Sequence, residues 1–117
     1  MAINVPGVDE GSFNELFDGD ESLYVSVLSS FIDKTPSVLS KLATVTADNL
    51  KDYADTVHGL KGACANVCAE EARKKALDLE LKAKAGDLAF CQANNAAFLK
   101  YVEDLLPKLK DWLQKHL

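Results

Sequence analysis

His58 is the residue of this chain best suited to carry chemistry, because it lies in a helical segment whose apolar side points elsewhere. The apolar positions recur every three or four residues, which is typical of one face of an α-helix. They are Leu50, Tyr53, Val57, Leu60, Cys64 and Val67. At about 100° per residue, His58 projects away from that stripe, so we expect its imidazole in solvent. It shares its row with small residues, namely Ala54, Gly62, Ala65 and Ala69.

Gly62 and Lys61 make this imidazole a candidate nucleophile for an anionic group. A glycine in a helix interior costs about 1 kcal/mol relative to alanine. Gly62 lies one turn after His58 on the same face, so its missing side chain clears the approach of a bulky partner. Lys61, three residues after His58, is a neighbour on the helix surface and can stabilise negative charge on the ring. A solvated lysine and a glycine needed for helix packing are the alternative interpretations.

Residues 58–66, HGLKGACAN, resemble the signature of histidine-containing phosphotransfer (HPt) domains. That signature is a His, two variable residues, Lys and Gly, then small residues leading to Ala-Asn, and its His-x-x-Lys-Gly core is the specific part. The resemblance continues in residues 17–20, 79–80 and 83–87 and spans the chain from about Ser12 to the last helix. Cys68 departs from it, because many members have a glycine there.

The resemblance implies a phosphorelay intermediate, a carrier protein without kinase activity of its own. Nε2 of His58 is expected to accept a phosphoryl group from the phosphoaspartate of a receiver domain and to pass it to another receiver aspartate. Lys61 is expected to offset charge on the phosphoryl oxygens, and Gly62 to leave room for the partner. The expected partners are response-regulator receiver domains and a hybrid sensor histidine kinase. No cofactor or metal is expected on this chain, and Mg²⁺ is expected to come with the receiver.

The partner contact is expected to be an apolar patch around His58 with a polar rim. Four residues are expected to contribute to docking, namely Ala54, Ala65, Glu80 and Lys84. Glu80 and Lys84 are equally consistent with a solvated surface. Leu77 and Leu81 lie off the main apolar stripe of their helix, and we expect them in the core rather than in the partner patch.

Three other functions use the same residues. The phosphoacceptor module of a chemotaxis-type histidine kinase shares the signature, and a helical adaptor shares the amphipathic helices but gives no reason for an exposed His beside Lys61. A metal site would need His58 together with Cys64 and Cys68. Cys64 lies on the buried stripe, so the three side chains converge only if the helix unwinds.

Composition and charge describe one all-α domain. The chain has 117 residues, enough for a single core, and its 48% apolar and 26% charged shares are those of a globular protein. A net charge of −5 opposes nucleic-acid binding, which requires a basic surface. The chain lacks the 18 consecutive apolar residues that a membrane span requires. An odd number of cysteines and no secretory leader predict free thiols and a cytoplasmic protein. The cysteines are Cys64, Cys68 and Cys91.

The helical patterns predict an antiparallel four-helix bundle with a short N-terminal covering helix, present as a monomer. Residues 1–11, with a Pro-Gly pair in their middle, are expected to form a loosely packed arm, and residues 12–117 the bundle. Ser12 with Glu15 three residues later predicts a capping box that opens the covering helix.

Asp20 is a suitable N-cap for a second helix, which the pattern predicts to run to about Lys34. Thr35 and Pro36 follow at once, and a proline favours the first position of a helix. We therefore expect the chain to restart there as a separate helical segment before the His58 helix.

The segment after the His58 helix, residues 69–85, is predicted to pack closely through small residues. Gly86 and Asp87 then fit a helix end followed by the N-cap of the next helix. In that last helix Pro107 is expected to kink or break the hydrogen-bond ladder. The small stripe consists of Ala72, Ala76, Leu79 and Ala83.

Overall fold

A computed structural model describes residues 3–117 and contains five α-helices, with no β-strand in that range. The helices are α1 (Glu10–Phe17), α2 (Glu21–Lys41), α3 (Leu50–Asn66), α4 (Glu70–Lys84) and α5 (Leu88–Lys115). The predicted all-α class is therefore confirmed. Within the described part of the chain, every helix is too short or too polar to cross a membrane.

The first helix begins earlier than the capping box predicts. Asp9, not Ser12, is the N-cap of α1, and its carboxylate accepts from the backbone N–H of Ser12 at 3.0 Å. The Ser12 hydroxyl donates to the same carboxylate at 2.6 Å, and these hydrogen bonds lower the pKa of Asp9. The expected cap was wrong because Asp and Ser are about equally good N-caps, and here the carboxylate is the acceptor.

The N-terminal arm is not loosely packed where it is described. Ile3 and Val5 are buried in the core, and the backbone N–H of Asp9 donates to the carbonyl of Cys68 at 2.8 Å. Two residues earlier, Gly7 accepts from the backbone N–H of Glu71 at 3.3 Å. The arm therefore binds across the turn between α3 and α4. Met1 and Ala2 of the predicted arm lie outside the described residues.

The second helix runs through the position where a restart was predicted. Pro36 lies inside α2, and Thr35 before it is buried, so Thr35 is not an N-cap. A proline inside a helix removes one backbone hydrogen bond. The loss affects a single hydrogen bond, whereas the apolar stripe of α2 continues before and after Pro36 and packs into the core on both sides of it. This packing explains why the helix does not end there. The buried residues of α2 are Tyr24, Leu28, Phe31, Thr35 and Leu39.

The last helix also continues through its proline. Pro107 lies inside α5 and is exposed, while Leu105 and Leu109 on either side are buried, so the predicted break is absent from this helix. The predicted junction before α5 is confirmed. Gly86 adopts a left-handed φ of 78°, and the Asp87 carboxylate accepts from the backbone N–H of Phe90 at 3.0 Å.

The core holds α3 in a fixed rotation. Helix α3 packs against both α2 and α4, and α5 packs against α2 and α4. The Tyr24 hydroxyl donates to the carbonyl of Val67 at 2.8 Å, and the Tyr53 hydroxyl donates to Asn95 Oδ1 at 2.7 Å. These bonds tie the end of α3 to α2 and its first turns to α5. Cys68, in the turn after α3, takes the left-handed conformation (φ 62°) that glycine adopts readily.

Candidate functional site

His58 lies on the solvent side of α3, as its position off the apolar stripe predicts. Its side chain is 61% exposed, whereas Val57 before it and Leu60 after it are buried. Burial of these apolar neighbours fixes the rotation of the helix about its axis. The ring therefore faces outward at the α3–α4 side of the molecule.

Glu80 from α4 holds one nitrogen of this ring. Its Oε2 lies 2.7 Å from His58 Nδ1, and the carboxylate side chain is only 2% exposed. The small side chains of Ala76 and Ala83 are buried on the same side of α4, which lets the two helix backbones approach closely. A buried carboxylate thus contacts one ring nitrogen of an exposed imidazole.

Two lysines neutralise this carboxylate. Lys61 Nζ lies 2.7 Å from Glu80 Oε1, and Lys84 Nζ lies 2.7 Å from Glu80 Oε2. The ammonium of Lys61, then that of Lys84, and to a smaller extent His58 lower the pKa of Glu80 to about 2, although burial opposes this. Glu80 is therefore ionised at any physiological pH, and an ionised carboxylate only accepts hydrogen bonds.

This hydrogen bond determines the tautomer of the imidazole. Because the Glu80 carboxylate is an acceptor, His58 Nδ1 must carry the proton that it donates. In a neutral imidazole one nitrogen is protonated and the other keeps its lone pair. The lone pair of His58 is therefore on Nε2, the ring nitrogen that the Glu80 carboxylate does not contact.

The space beside the ring is open. A Cβ placed on Gly62 would meet no described atom within 4 Å outside its own helix backbone, and the same holds for Gly59. The helix therefore does not need glycine at either position for its own packing. An external group that approaches closely would explain why Gly62, on the same face as His58, has no side chain.

Lys61 occupies a different place from the one expected. The sequence suggests an ammonium free to turn toward whatever the imidazole carries, but Lys61 is 24% exposed and paired with Glu80. Lys84 is the more exposed of the two lysines, at 56%. The structure brings together His58, Lys61, Glu80 and Lys84, and it places Glu80 in the interior rather than on the solvated surface considered for it.

Ala54 is not at the surface, contrary to the expectation from the sequence. It is 4% exposed and belongs to the core, because a residue four positions before His58 is rotated by about 40° toward the buried stripe. Ala69, in the same predicted row, lies beyond the end of α3 and is also buried. Ala65 is half-buried. A partner therefore cannot rest on Ala54.

Leu81 is not in the core, where the sequence predicts it. It is 56% exposed, and the buried face of α4 is formed by other side chains, so the expected core position is wrong. Leu77 is half-buried. Both leucines are on the helix that supplies Glu80 and Lys84. Leu81 thus adds an apolar side chain to the surface of that helix.

Sequence reasoning missed the role of Glu80, although a signal was present. Glu80 lies four residues after Ala76 and three before Ala83, so it falls within the small apolar stripe of α4. A charged residue inside such a stripe is buried only with a partner. That rule identifies Glu80 as a paired residue, and the i,i+4 spacing to Lys84 supplies one of its partners.

The metal alternative finds no support in the geometry. Cys64 and Cys68 are buried free thiols, and His58 is bound to Glu80 instead. Burial raises the pKa of the Cys64 thiol to about 12. Among residues 3–117, no group of three His, Cys, Asp or Glu side chains is arranged to hold a metal ion.

Comparison with known proteins places the chain in a family. A family model described as the Hpt domain matches residues 26–114, which include α3, α4 and the four site residues. No curated protein and no solved structure matches the chain. Hpt domains are phosphotransfer carriers of two-component signalling that interact with receiver domains in phosphorelays. Because the match covers more than half of the 117 residues, the chain belongs to the Hpt domain family.

Proposed function

We propose that this protein is a phosphorelay intermediate in which His58 accepts a phosphoryl group from one receiver domain and delivers it to another. The observation that carries the proposal is the exposed imidazole whose Nδ1 is bound by the ionised, buried Glu80. A ring held in this way keeps its lone pair on Nε2 and presents it to solvent. Such a nitrogen is a suitable nucleophile for an acyl phosphate.

The transfer step needs no proton acceptor on this chain. The Nε2 lone pair attacks phosphorus in line, the P–N bond forms, and the P–O bond to the receiver aspartate breaks. The electron pair of that P–O bond leaves with the aspartate as its carboxylate. The Nδ1 proton stays in its hydrogen bond, so the positive charge that develops on the ring is offset by Glu80 at 2.7 Å. Delivery to the second aspartate is the reverse.

The two lysines give the site an excess of positive charge. Lys61 and Lys84 face a single carboxylate, Glu80, so their pairing leaves one cation unbalanced. A phosphoryl group arriving on Nε2 brings negative charge that this excess attracts. The missing side chain at Gly62 leaves room for the receiver loops that surround the aspartate.

We assign the Mg²⁺ required for transfer to the receiver. Magnesium binds to carboxylates that are free to coordinate it. Glu80 already has His58, Lys61 and Lys84 as partners within 2.7 Å, so a cation there would have to displace them. The domain then supplies the nucleophile and the docking surface. Ala65 borders that surface, whereas Ala54 is buried.

We further infer that α2 to α5 form an antiparallel four-helix bundle and that α1 covers one end of it. The aromatic ring of Phe13 packs edge-on against Tyr24, with 4.8 Å between ring centroids, which supports α1 as a cover. Residues 12–117, together with the arm that packs into their core, then act as one domain, monomeric and cytoplasmic. A receiver of a hybrid sensor kinase is the proposed donor.

Phosphotransfer profiling tests the carrier function. The protein is incubated with each phosphorylated receiver of its source organism, and the label on it is followed. We expect an adduct that is labile in acid and stable in base, because a phosphoramidate has this behaviour. His58→Gln abolishes it, whereas the control variant His116→Gln, near the end of α5, retains it.

Other outcomes select the other functions. Labelling of His58 by an ATP-binding kinase domain in trans, and by no receiver, identifies the phosphoacceptor module of a chemotaxis-type kinase. An absence of label from any receiver or kinase favours a helical adaptor. Full labelling of His58→Gln contradicts the assignment of the phosphoacceptor.

A further inference from the structure

The N-terminal arm makes a tight turn where it crosses the junction between α3 and α4. The backbone N–H of Val8 donates to the carbonyl of Val5 at 3.0 Å. Pro6 and Gly7 lie between them, and Gly7 takes a φ of 88°. A proline followed by a glycine of positive φ is typical of a type II turn. The turn therefore requires glycine at position 7.

This turn presents two backbone groups to the junction. The Gly7 carbonyl accepts from the N–H of Glu71, in the first turn of α4, at 3.3 Å. The Asp9 N–H donates to the carbonyl of Cys68 at 2.8 Å. The first N–H groups of a helix need acceptors from outside it, and Ala69, the N-cap of α4, has no oxygen in its side chain. The arm thus supplies a cap that the sequence around the start of α4 does not.

The arm is also bound on both sides of its turn. Ile3 and Val5 before the turn are buried in the core, and after it the Asp9 carboxylate caps α1. A Cβ added to Gly7 would collide with the hydroxyl of Tyr101, so the turn lies directly against α5. The arm therefore connects the α3–α4 junction to α1, to α5 and to the core.

The same junction determines how α3 and α4 lie beside each other at the reactive ring. His58 and Glu80 are about 12 Å and about 15 Å from it along their helices. In between, α4 buries the small side chains of Ala72 and Ala76, which remove less apolar area from water than larger ones. The junction therefore contributes much of what fixes the spacing of the two helices. A shift of about 1 Å would lengthen the 2.7 Å contact of Glu80 with His58 beyond hydrogen-bond distance.

We propose that the arm is a positioning segment, which keeps Glu80 against the His58 ring while it is bound across the α3–α4 junction, and that its release slows phosphoryl acceptance. On release, Glu71 loses its acceptor and Cys68 loses its donor. The His58 ring then lacks a fixed partner for Nδ1, so both tautomers become populated. The proposal rests on the proposed function for the reaction that is controlled, whereas its effect on the ring needs no phosphoryl group.

Amide hydrogen exchange tests whether the arm opens separately. The Asp9 and Glu71 amides should exchange through one common opening, faster than the Val57 amide in the buried part of α3. Gly7→Ala strains the turn and should speed exchange at Asp9 and Glu71 severalfold without changing Val57. The control is Gly19→Ala, which places the same strain at φ 77° between α1 and α2. Equal acceleration at all three amides, or none in Gly7→Ala, overturns the proposal.

A second variant releases the arm more completely. Ile3→Asp places an unpaired charge at a buried position, so the arm cannot bind as before. Asn4→Asp makes the same change in charge at the exposed neighbour and is the control. The Asp9 and Glu71 amides should lose their protection in Ile3→Asp alone. Retained protection there contradicts an arm that is anchored through the core.

NMR of the imidazole nitrogens then reports on the site itself. Long-range ¹H–¹⁵N correlations identify which nitrogen of the neutral His58 ring carries the proton. The wild type and Asn4→Asp should show the Nδ1–H tautomer, whereas Ile3→Asp should show a mixture of both. A pure Nδ1–H tautomer in Ile3→Asp, with the arm released, overturns the proposal.

Phosphoryl acceptance is measured with phosphoramidate, a small donor that needs no docking surface, and ³¹P NMR follows the label on the full chain. His58 should be labelled severalfold more slowly in Ile3→Asp than in the wild type and Asn4→Asp. If this difference is found but no receiver labels His58, the relay is wrong and the role of the arm stands. If receivers label the wild type and phosphoramidate labels all three proteins equally fast, the relay stands and the role of the arm is refuted.

Discussion

Glu80 connects the reactive ring to the interior of the protein. Its carboxylate is 2% exposed and accepts from Nδ1 of a ring that is 61% exposed, so the buried side chain fixes the orientation of the exposed one. The position of His58 outside the core could be predicted from the helical period alone. The position of Glu80 could not be read from α3, because the partner comes from a different helix, 22 residues further along the chain.

Replacing this carboxylate by its amide tests how much the charge contributes. Glu80→Gln keeps the shape of the side chain but removes the negative charge that offsets a developing positive ring. We expect phosphoryl acceptance from a receiver to slow by about tenfold or more, because a hydrogen bond to a charged group is worth about 1.5–3 kcal/mol and about 1.4 kcal/mol corresponds to a factor of ten in rate. The initial rate of labelling at a fixed receiver concentration measures this.

The control for this variant is Glu103→Gln. Glu103 is an exposed residue of α5, and its substitution makes the same change in net charge. An equal loss of rate in both variants would mean that net charge, and not the contact with His58, is responsible. Circular dichroism of both proteins verifies that the helices are retained.

At the scale of the helices, the site depends on α3 and α4 being held side by side. The apolar faces by which α3 and α4 pack could be predicted, and so could the junction at Gly86 and Asp87, because these features follow from local sequence. The continuation of α2 through Pro36 could not be predicted. A local rule counts one lost hydrogen bond, whereas the burial of apolar side chains on both sides of the proline depends on the rest of the fold.

The glycines of α3 allow a prediction at this scale. A Cβ added at Gly59 or Gly62 would have no described atom within 4 Å outside the helix backbone, so alanine fits at both positions without strain. Gly59→Ala and Gly62→Ala should each raise the free energy of unfolding by about 1 kcal/mol, as in other helix interiors. Urea-induced unfolding followed by circular dichroism measures the gain.

A larger side chain separates stability from access. Gly62→Leu should remain at least as stable as the wild type while it accepts a phosphoryl group from a receiver more slowly, because the added side chain occupies the approach to His58. If Gly62→Leu is labelled at the rate of the wild type, Gly62 does not serve access.

For the whole molecule, the N-terminal arm is the part least accessible to prediction. Its Pro-Gly pair suggests a loose segment, yet Ile3 and Val5 alternate with exposed residues and fill the core. An alternation of only two apolar residues can arise by chance. It predicts burial only when the part of the core against which these residues pack is known. The backbone bonds to Cys68 and Glu71 depend on that surface as well.

Stability toward acid is the global property that the site should influence. The pKa of Glu80 is lowered from 4.5 to about 2 in the folded protein. A lowered carboxyl pKa stabilises the folded state above the unfolded value, and the stabilisation is lost as pH falls from about 4.5 toward about 2. The free energy of unfolding, measured in urea across this interval, should therefore fall with pH.

The same series on Glu80→Gln isolates the contribution of the site. Its free energy of unfolding should depend less steeply on pH in this interval, and the remaining slope should include Asp9, whose pKa is also lowered. Identical slopes for the wild type and Glu80→Gln would contradict the assignment of a strongly lowered pKa to Glu80.

The single tryptophan gives the molecule a natural optical reporter. Trp112 lies edge-on to Tyr24, with ring centroids 5.4 Å apart, and stacks on His116 at 3.9 Å. The indole is nearly enclosed, and the arm passes beside it through Val5 and Pro6. Intrinsic fluorescence should therefore register detachment of the arm without any dye, and it leaves His58, on another helix, free of labels while a relay reaction is observed.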